Sequence, residues 1–196
     1  MKYNYCLCLV LAIAFFSCNS GHTPKPRGFF RIDFPQKEYR FTNLNAPYKF
    51  SVPVYSLITP DPENPDKKNW INVSIPTNKA ELHISYYNLR ENDGPDKLFL
   101  YKLMEETRTL AYKHSVKANA IKEQLFINPE DKVYGTVYRI EGNAASPVQF
   151  FLTDSTSHFI RGALYIRATP DIDSLKPVID FLEKDINRLI ETTTWN

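Results

Sequence analysis

WINVSIPTNKAELHISYY, residues 70–87, holds two runs of period two on either side of a turn. In the first run Ile71, Val73 and Ile75 alternate with Trp70, Asn72 and Ser74. In the second, Leu82, Ile84 and Tyr86 alternate with Glu81, His83, Ser85 and Tyr87. Apolar residues at every second position mark a half-buried strand, and Pro76-Thr77-Asn78-Lys79 between the runs predicts a hairpin. One face of that hairpin enters a core, and the other carries an indole, an imidazole, hydroxyls and a phenol. Trp70, His83 and Tyr87 on this second face are a candidate interaction surface, because exposed aromatics mark contact sites. The equal alternative places them beneath a helix, since helices must cover part of the sheet.

Downstream the period changes. Leu100, Leu103, Thr107, Leu110 and Ala111 fall at helical spacing after a cap at Asp93 or Asp96, so a helix is predicted over about 96–114. Strands are predicted at 133–141, 148–153 and 159–167, while 116–127 reads as either strand or helix. Asp154-Ser155-Thr156-Ser157 joins two of these strands with turn-forming residues. A last helix is predicted from Ser174 as N-cap with Pro177 in its first turn, burying Leu175, Ile179, Leu182, Ile186 and Leu189. Upstream, Phe50, Val52 and Val54 alternate within an edge strand that Pro53 limits, and 59–69, with three prolines, reads as an exposed loop. The order strands, helix, strands, helix lacks repeated βαβ units. It predicts an α+β fold, a mainly antiparallel sheet flanked by two long helices.

The start of the chain is different in kind. Lys2 precedes an apolar run over Leu7–Phe16, about half the length needed to span a bilayer, and Ser17 then Cys18 follow. This has the charged start, apolar middle and small-residue end of a secretory signal, with Cys18 placed for acylation as in a bacterial lipoprotein. Phe15-Phe16-Ser17 keeps only the last feature of the usual pattern ahead of that cysteine; cleavage elsewhere with an incidental Cys18 is the alternative. The expected organisation is a signal peptide over 1–17, a lipidated N-terminus and extended linker over 18–28, and a single α+β domain over 29–196. A proline-containing linker of this length reaches roughly 30 Å. No cysteine follows Cys18, so disulfides, cysteine metal sites and cysteine nucleophiles are excluded from the domain. A domain of this size buries about 70% of its unfolded surface without such staples. The formal net charge of +2 gives no field of the kind that draws nucleic acid.

Chemistry-bearing patterns are few. Asp154, Ser155, Thr156, Ser157 and His158 crowd one turn, and a hydrolase using Ser155 or Ser157 with His158 is the enzymatic alternative. Triads are assembled from separate loops, so turn formation accounts for these residues better. Asp171 and Asp173 lack the glycine of a calcium loop, and Asp61, Glu63 and Asp66 are offset by Lys67 and Lys68. His22, His83, His114 and His158 show no ligand spacing, and the six glycines form no phosphate loop. No metal, cofactor or catalytic residue is assigned. A carrier of small hydrophobic ligands is a further alternative, and it requires a deep pocket between helix and sheet.

TPKPRGFFRIDFP, WINVSIPTNKAELHISYY and above all GNAASPVQFFLTDSTSHFIRGALYI resemble the gliding-motility lipoprotein family GldD across essentially the whole chain after the signal. The resemblance implies an acylated Cys18, palmitate among its chains, on a component of the gliding motility and type IX secretion machinery of the cell envelope. It implies other motility and secretion envelope proteins as partners, together with the bilayer that the acyl chains enter, and it carries no catalytic residues. By comparison with related lipoproteins, the absence of acidic residues in Asn19-Ser20-Gly21-His22 implies a domain facing the periplasm from the outer membrane, with inner-membrane attachment left open. The element order is also similar to the PsbP/Mog1-like α/β/α sandwich.

Overall fold

The computed structural model describes residues 31–90, 96–169 and 171–196, and Asp33–Asn196 form one compact unit. Its centre is a seven-stranded antiparallel sheet of β4 (Leu57–Pro60), β5 (Ile71–Ile75), β6 (Ala80–Asn88), β7 (Ala118–Asn128), β8 (Val133–Gly142), β9 (Val148–Thr153) and β10 (His158–Ile166). Their order across the sheet is β4-β5-β6-β10-β9-β8-β7. Helix α1 (Lys97–Tyr112) packs on one face and α2 (Ile172–Glu191) on the other. The expected α+β class and two-helix sandwich are therefore what the chain adopts. Two small ribbons complete it: β1 (Tyr39–Phe41) with β3 (Ser51–Pro53), and β2 (Tyr48–Lys49) with β11 (Thr194–Trp195).

The alternation in the hairpin sorts directly onto these faces. Ile71, Val73, Ile75, Leu82 and Ile84 join Phe150, Leu152, Ile160 and Leu164 beneath Leu182, Ile186 and Leu189 of α2. On the opposite face Tyr138, Ile140, Phe151 and Phe159 meet Leu103 and Ala111 of α1. Phe150, fully buried, lies across the backbone of Gly162 on the neighbouring strand, where a side chain would collide with its ring.

Some boundaries differ from expectation. The segment left open at 116–127 is strand β7; its partner β8 decides this, since a register of paired residues runs from Ala120 to Asn128. Helix α1 is capped by Asp96, whose Oδ1 accepts from the Phe99 N–H at 2.9 Å. Helix α2 begins at Ile172 with Asp171 as N-cap, not at Ser174, so Pro177 lies beyond its first turn. The reason is tertiary: Asn143 Oδ1 accepts from the Ile172 N–H at 2.9 Å and Asp171 Oδ1 from the Asp173 N–H, which satisfies the first orphan donors. Ser174 instead donates to the Asp171 carbonyl. The exposed loop begins two residues later than read, because Leu57–Pro60 pairs with β5.

Four buried or half-buried tyrosines make alkaline unfolding a test of the packing. Burial raises Tyr48 and Tyr55 above the ordinary tyrosine pKa, the second also through Asp185, and pushes Tyr39 and Tyr138 up to about 12. Above about pH 10 the unfolded chain gives up protons that the native tyrosines keep, so stability falls with pH through the native values. Urea midpoints measured from about pH 9 to 12 are expected to decline steadily, and a flat profile would contradict the burial of these hydroxyls.

Candidate functional site

An open groove of about 870 Å³ runs along one end of the sheet, where the 61–69 loop, β6 and the start of α1 converge. Trp70, Tyr86, Tyr87 and Phe99 give it aromatic walls, and Asn45, Asn88, Asp66, Lys67 and Lys68 give it a polar, partly cationic rim. The indole is fixed: Trp70 Nε1 donates to the Tyr86 carbonyl at 2.8 Å, and its ring meets Tyr87 edge-on at 5.5 Å. Tyr87 in turn lies edge-on to Phe99 and Phe159. Rigid amphipathic rings with a polar rim are what a protein-contact surface uses, since little side-chain entropy is lost on binding.

The structure brings Trp70 and Tyr87 together here but leaves His83 elsewhere. His83 stacks edge-on against Tyr165 at 5.2 Å and lies 3.8 Å from Glu81, toward the far end of the hairpin. Helix α1 covers this outward face only in part: Tyr87 is half-buried beside Phe99 of α1, while Trp70 and His83 sit outside the α1 cluster. Sequence reading missed Lys67, Lys68 and Phe99 as groove residues. By sequence the two lysines only offset the charge of the acidic loop, whose Asp61 accepts from the Glu63 N–H and the Asn64 side-chain amide.

The crowded turn does not assemble a hydrolytic triad. Asp154 Oδ1 accepts from the backbone N–H groups of Thr156, Ser157 and His158, and Oδ2 from the Thr156 hydroxyl. Those bonds hold its carboxyl below the usual carboxylate range against the opposing effect of burial. Ser155 has φ 66, the left-handed corner of the turn. His158 Nδ1 lies 2.9 Å from the Tyr86 hydroxyl, and its ring stacks on Trp195 at 5.2 Å. The Ser155 or Ser157 with His158 reading is therefore corrected: the carboxylate caps a turn and the imidazole is a packing element. Among the described residues no His, Cys, Asp or Glu cluster is arranged to hold a metal ion. Nor is there a deep pocket under α2, where the cavity measures about 20 Å³, far below the roughly 300 Å³ at which ligand pockets begin. Under α2, the ligand-carrier alternative finds no such space.

Burial lowers the His158 pKa, with Asp154 opposing and Arg90 assisting. A depressed histidine is protonated in the unfolded chain before the native one, so its contribution to stability is present above about pH 6.5 and lost on acidification below it. Acid titration followed by Trp195 fluorescence is expected to show release of the β11 segment as His158 protonates; His158→Ala should remove that step.

A second cluster sits on the other face. Asp185 of α2, only 4% exposed, accepts from Tyr39 at 2.9 Å, Tyr55 at 2.7 Å and Lys37 at 2.6 Å. Lys37 also donates to the Phe181 carbonyl and lies 3.2 Å from that ring's centroid. Burial lowers the Lys37 pKa, and Asp185 counters it. This is a fastening between the 37–55 segment and α2, with every polar group engaged.

A family model for the gliding motility lipoprotein GldD matches residues 19–195. The chain belongs to the GldD family. Membership carries involvement in gliding motility and association with the envelope as a lipoprotein. Cys18 lies outside the described residues, and no helix among those described is long and apolar enough to cross a membrane. No curated protein matches the chain significantly. Among solved structures it is similar to cyanobacterial PsbP (CyanoP) from Synechocystis sp. PCC 6803, with TM-score 0.44 and 10% identity over 83% of this chain and 95% of that one. A likeness of that degree carries no argument about function.

Proposed function

We propose that this GldD-family chain is anchored through acyl groups on Cys18, faces the periplasm from the outer membrane, and serves as a non-enzymatic scaffold or assembly component of the gliding motility and type IX secretion machinery. The family match carries the reading, and the aromatic groove at Trp70 and Tyr87 supplies a surface on which another envelope subunit docks. Tethering confines the domain to a thin layer and so raises its effective concentration near membrane partners. More than one acyl chain is needed for this, since a single myristoyl gives only about 10⁴ M⁻¹.

Two substitutions separate the anchor from the groove. Cys18→Ala is expected to move the protein from the membrane to the soluble envelope fraction and to abolish gliding. Trp70→Ala is expected to leave it at the membrane in normal amount while gliding and secretion drop at least severalfold. A Cys18→Ala protein that fractionates and functions as before would end the anchored reading; a fully active Trp70→Ala protein would end the groove's part in it.

A further inference from the structure

The two edges of the central sheet are unlike. Strand β4 is four residues long, closes on Pro60, and leads into a loop holding Pro62 and Pro65. Strand β7 is eleven residues long without proline or glycine. Exposed edges are ordinarily blunted by brevity, proline or free charge, because their open N–H and C=O groups invite another strand. Edge β4 is blunted in this way, whereas β7 has one irregularity at its start, between Ala118 and Ala120, and pairs regularly from Ala120 to Asn128. The two charges of β7 are already engaged inside the chain, Lys122 with Glu141 at 2.5 Å and Glu123 with the Tyr112 hydroxyl at 2.7 Å and Arg108 at 3.5 Å. Leu125 and Ile127 are left 73% and 65% exposed.

Among the described residues the ladder identifies the open groups. Ile140 of β8 donates its N–H to Pro147, toward β9, so its partner Ile121 in β7 points its own N–H and C=O away from β8. By alternation Glu123, Leu125 and Ile127 do the same, and their side chains share the α1 face. An added strand must bond these four residues.

We propose that β7 is the seam of a two-fold symmetric dimer, in which two copies of this chain join their sheets antiparallel, edge to edge, centred on Gln124. That register sets Ile121 against Ile127 of the second copy and Leu125 against Glu123 of the second copy. On the other face Lys122 meets Phe126 of the second copy, and Gln124 meets its own equivalent. No like charges oppose each other, and the whole stretch Ala120–Asn128 pairs. Centring on Lys122 or Glu123 would set a charge against itself, which is destabilising in a sheet. Centring on Leu125 would pair only 122–128, since Pro129 follows. Of the registers that set no like charges opposite each other, this one pairs the longest stretch of β7. The dimer does not depend on the assembly role proposed above.

Cysteine placement in the full chain tests it, with the unsubstituted chain as control for Cys6, Cys8 and Cys18. Residues opposite each other in a non-hydrogen-bonded pair have Cα atoms about 4.5 Å apart, within disulfide reach. Gln124→Cys is expected to give a disulfide-linked dimer under mild oxidation. Residues 123 and 125 lie roughly 8 Å from their own equivalents in this register, so Glu123→Cys and Leu125→Cys should give at least fivefold less. Adding Leu125→Pro to Gln124→Cys deletes an outward N–H without costing a bond to β8 and should cut the dimer at least tenfold. Leu125→Glu sets a carboxylate against Glu123 of the second copy, leaves the backbone untouched, and should do the same with an unchanged circular dichroism spectrum. Dimer no greater than the control, equal yields at 123, 124 and 125, survival of both Leu125 substitutions, or crosslinking of residue 124 to a different protein in place of itself would each overturn the proposal.

Discussion

Asp185→Ala is expected to destabilise the domain by about 3–5 kcal/mol, the cost of removing one partner from a buried charged cluster. The carboxylate is 4% exposed and accepts from Lys37, Tyr39 and Tyr55. Without it, an ammonium held against the Phe181 ring and two hydroxyls lose their acceptor in a place where water cannot fully replace it. Native domains have only about 5–15 kcal/mol to lose, so urea unfolding should shift far to lower denaturant. The 37–55 segment is expected to detach first, because this cluster joins it to α2. Replacing both members, Lys37→Met with Asp185→Leu, should recover most of the loss, since an apolar pair leaves no uncompensated charge. A single mutant within 1 kcal/mol of the parent would mean that the cluster is ornamental.

Gly135→Ala carries the next largest expected effect, about 3 kcal/mol, the upper part of the range for overpacking. A Cβ at this position falls inside the contact radius of the Phe151 carbonyl oxygen and touches the Leu152 side chain at 3.0 Å. The obstructing atom is backbone, in the register where β8 and β9 pair Thr136 with Phe151. It cannot yield without disturbing the ladder in the middle of the sheet. For a chain of this size the thermal midpoint should fall by about 6–12 °C. Gly162→Ala is expected to cost less, because the obstacle there is the Phe150 ring and not backbone. Melting both variants beside the parent checks the order as well as the size.

Gly135 was not legible in advance, because nothing in its own neighbourhood says that two strands approach closely there. Asp185 did leave a signal: it stands between Leu182 and Ile186 in the buried stripe of α2, where an ionised residue requires partners. Which partners answered it could not be read, since Lys37 and Tyr39 lie more than a hundred residues away. Strands β1, β2, β4 and β11 escaped for a related reason. Each has two to four residues, too few for a period to emerge, and each exists because another strand pairs with it, at long range for β2 and β11. The groove was half legible. Trp70 and Tyr87 stood out as aromatics on the polar face of the hairpin, while Lys67, Lys68 and Phe99 belong to elements that only folding brings beside them.

The sequence by itself determined the α+β class, the hairpin over 71–88, the β8–β9–β10 meander and both helices, because each is a local alternation of apolar and polar groups with one face to bury. Tertiary structure alone decided that α1 covers Phe151 and Phe159 while α2 covers Phe150 and Leu152, that Asp171 and not Ser174 caps α2, and that 118–128 is a strand. The helix placement and the Asn143 contact that fixes the start of α2 join segments far apart along the chain, and the strand at 118–128 depends on its pairing with β8. The free energy of such contacts is not encoded in the period of any one segment.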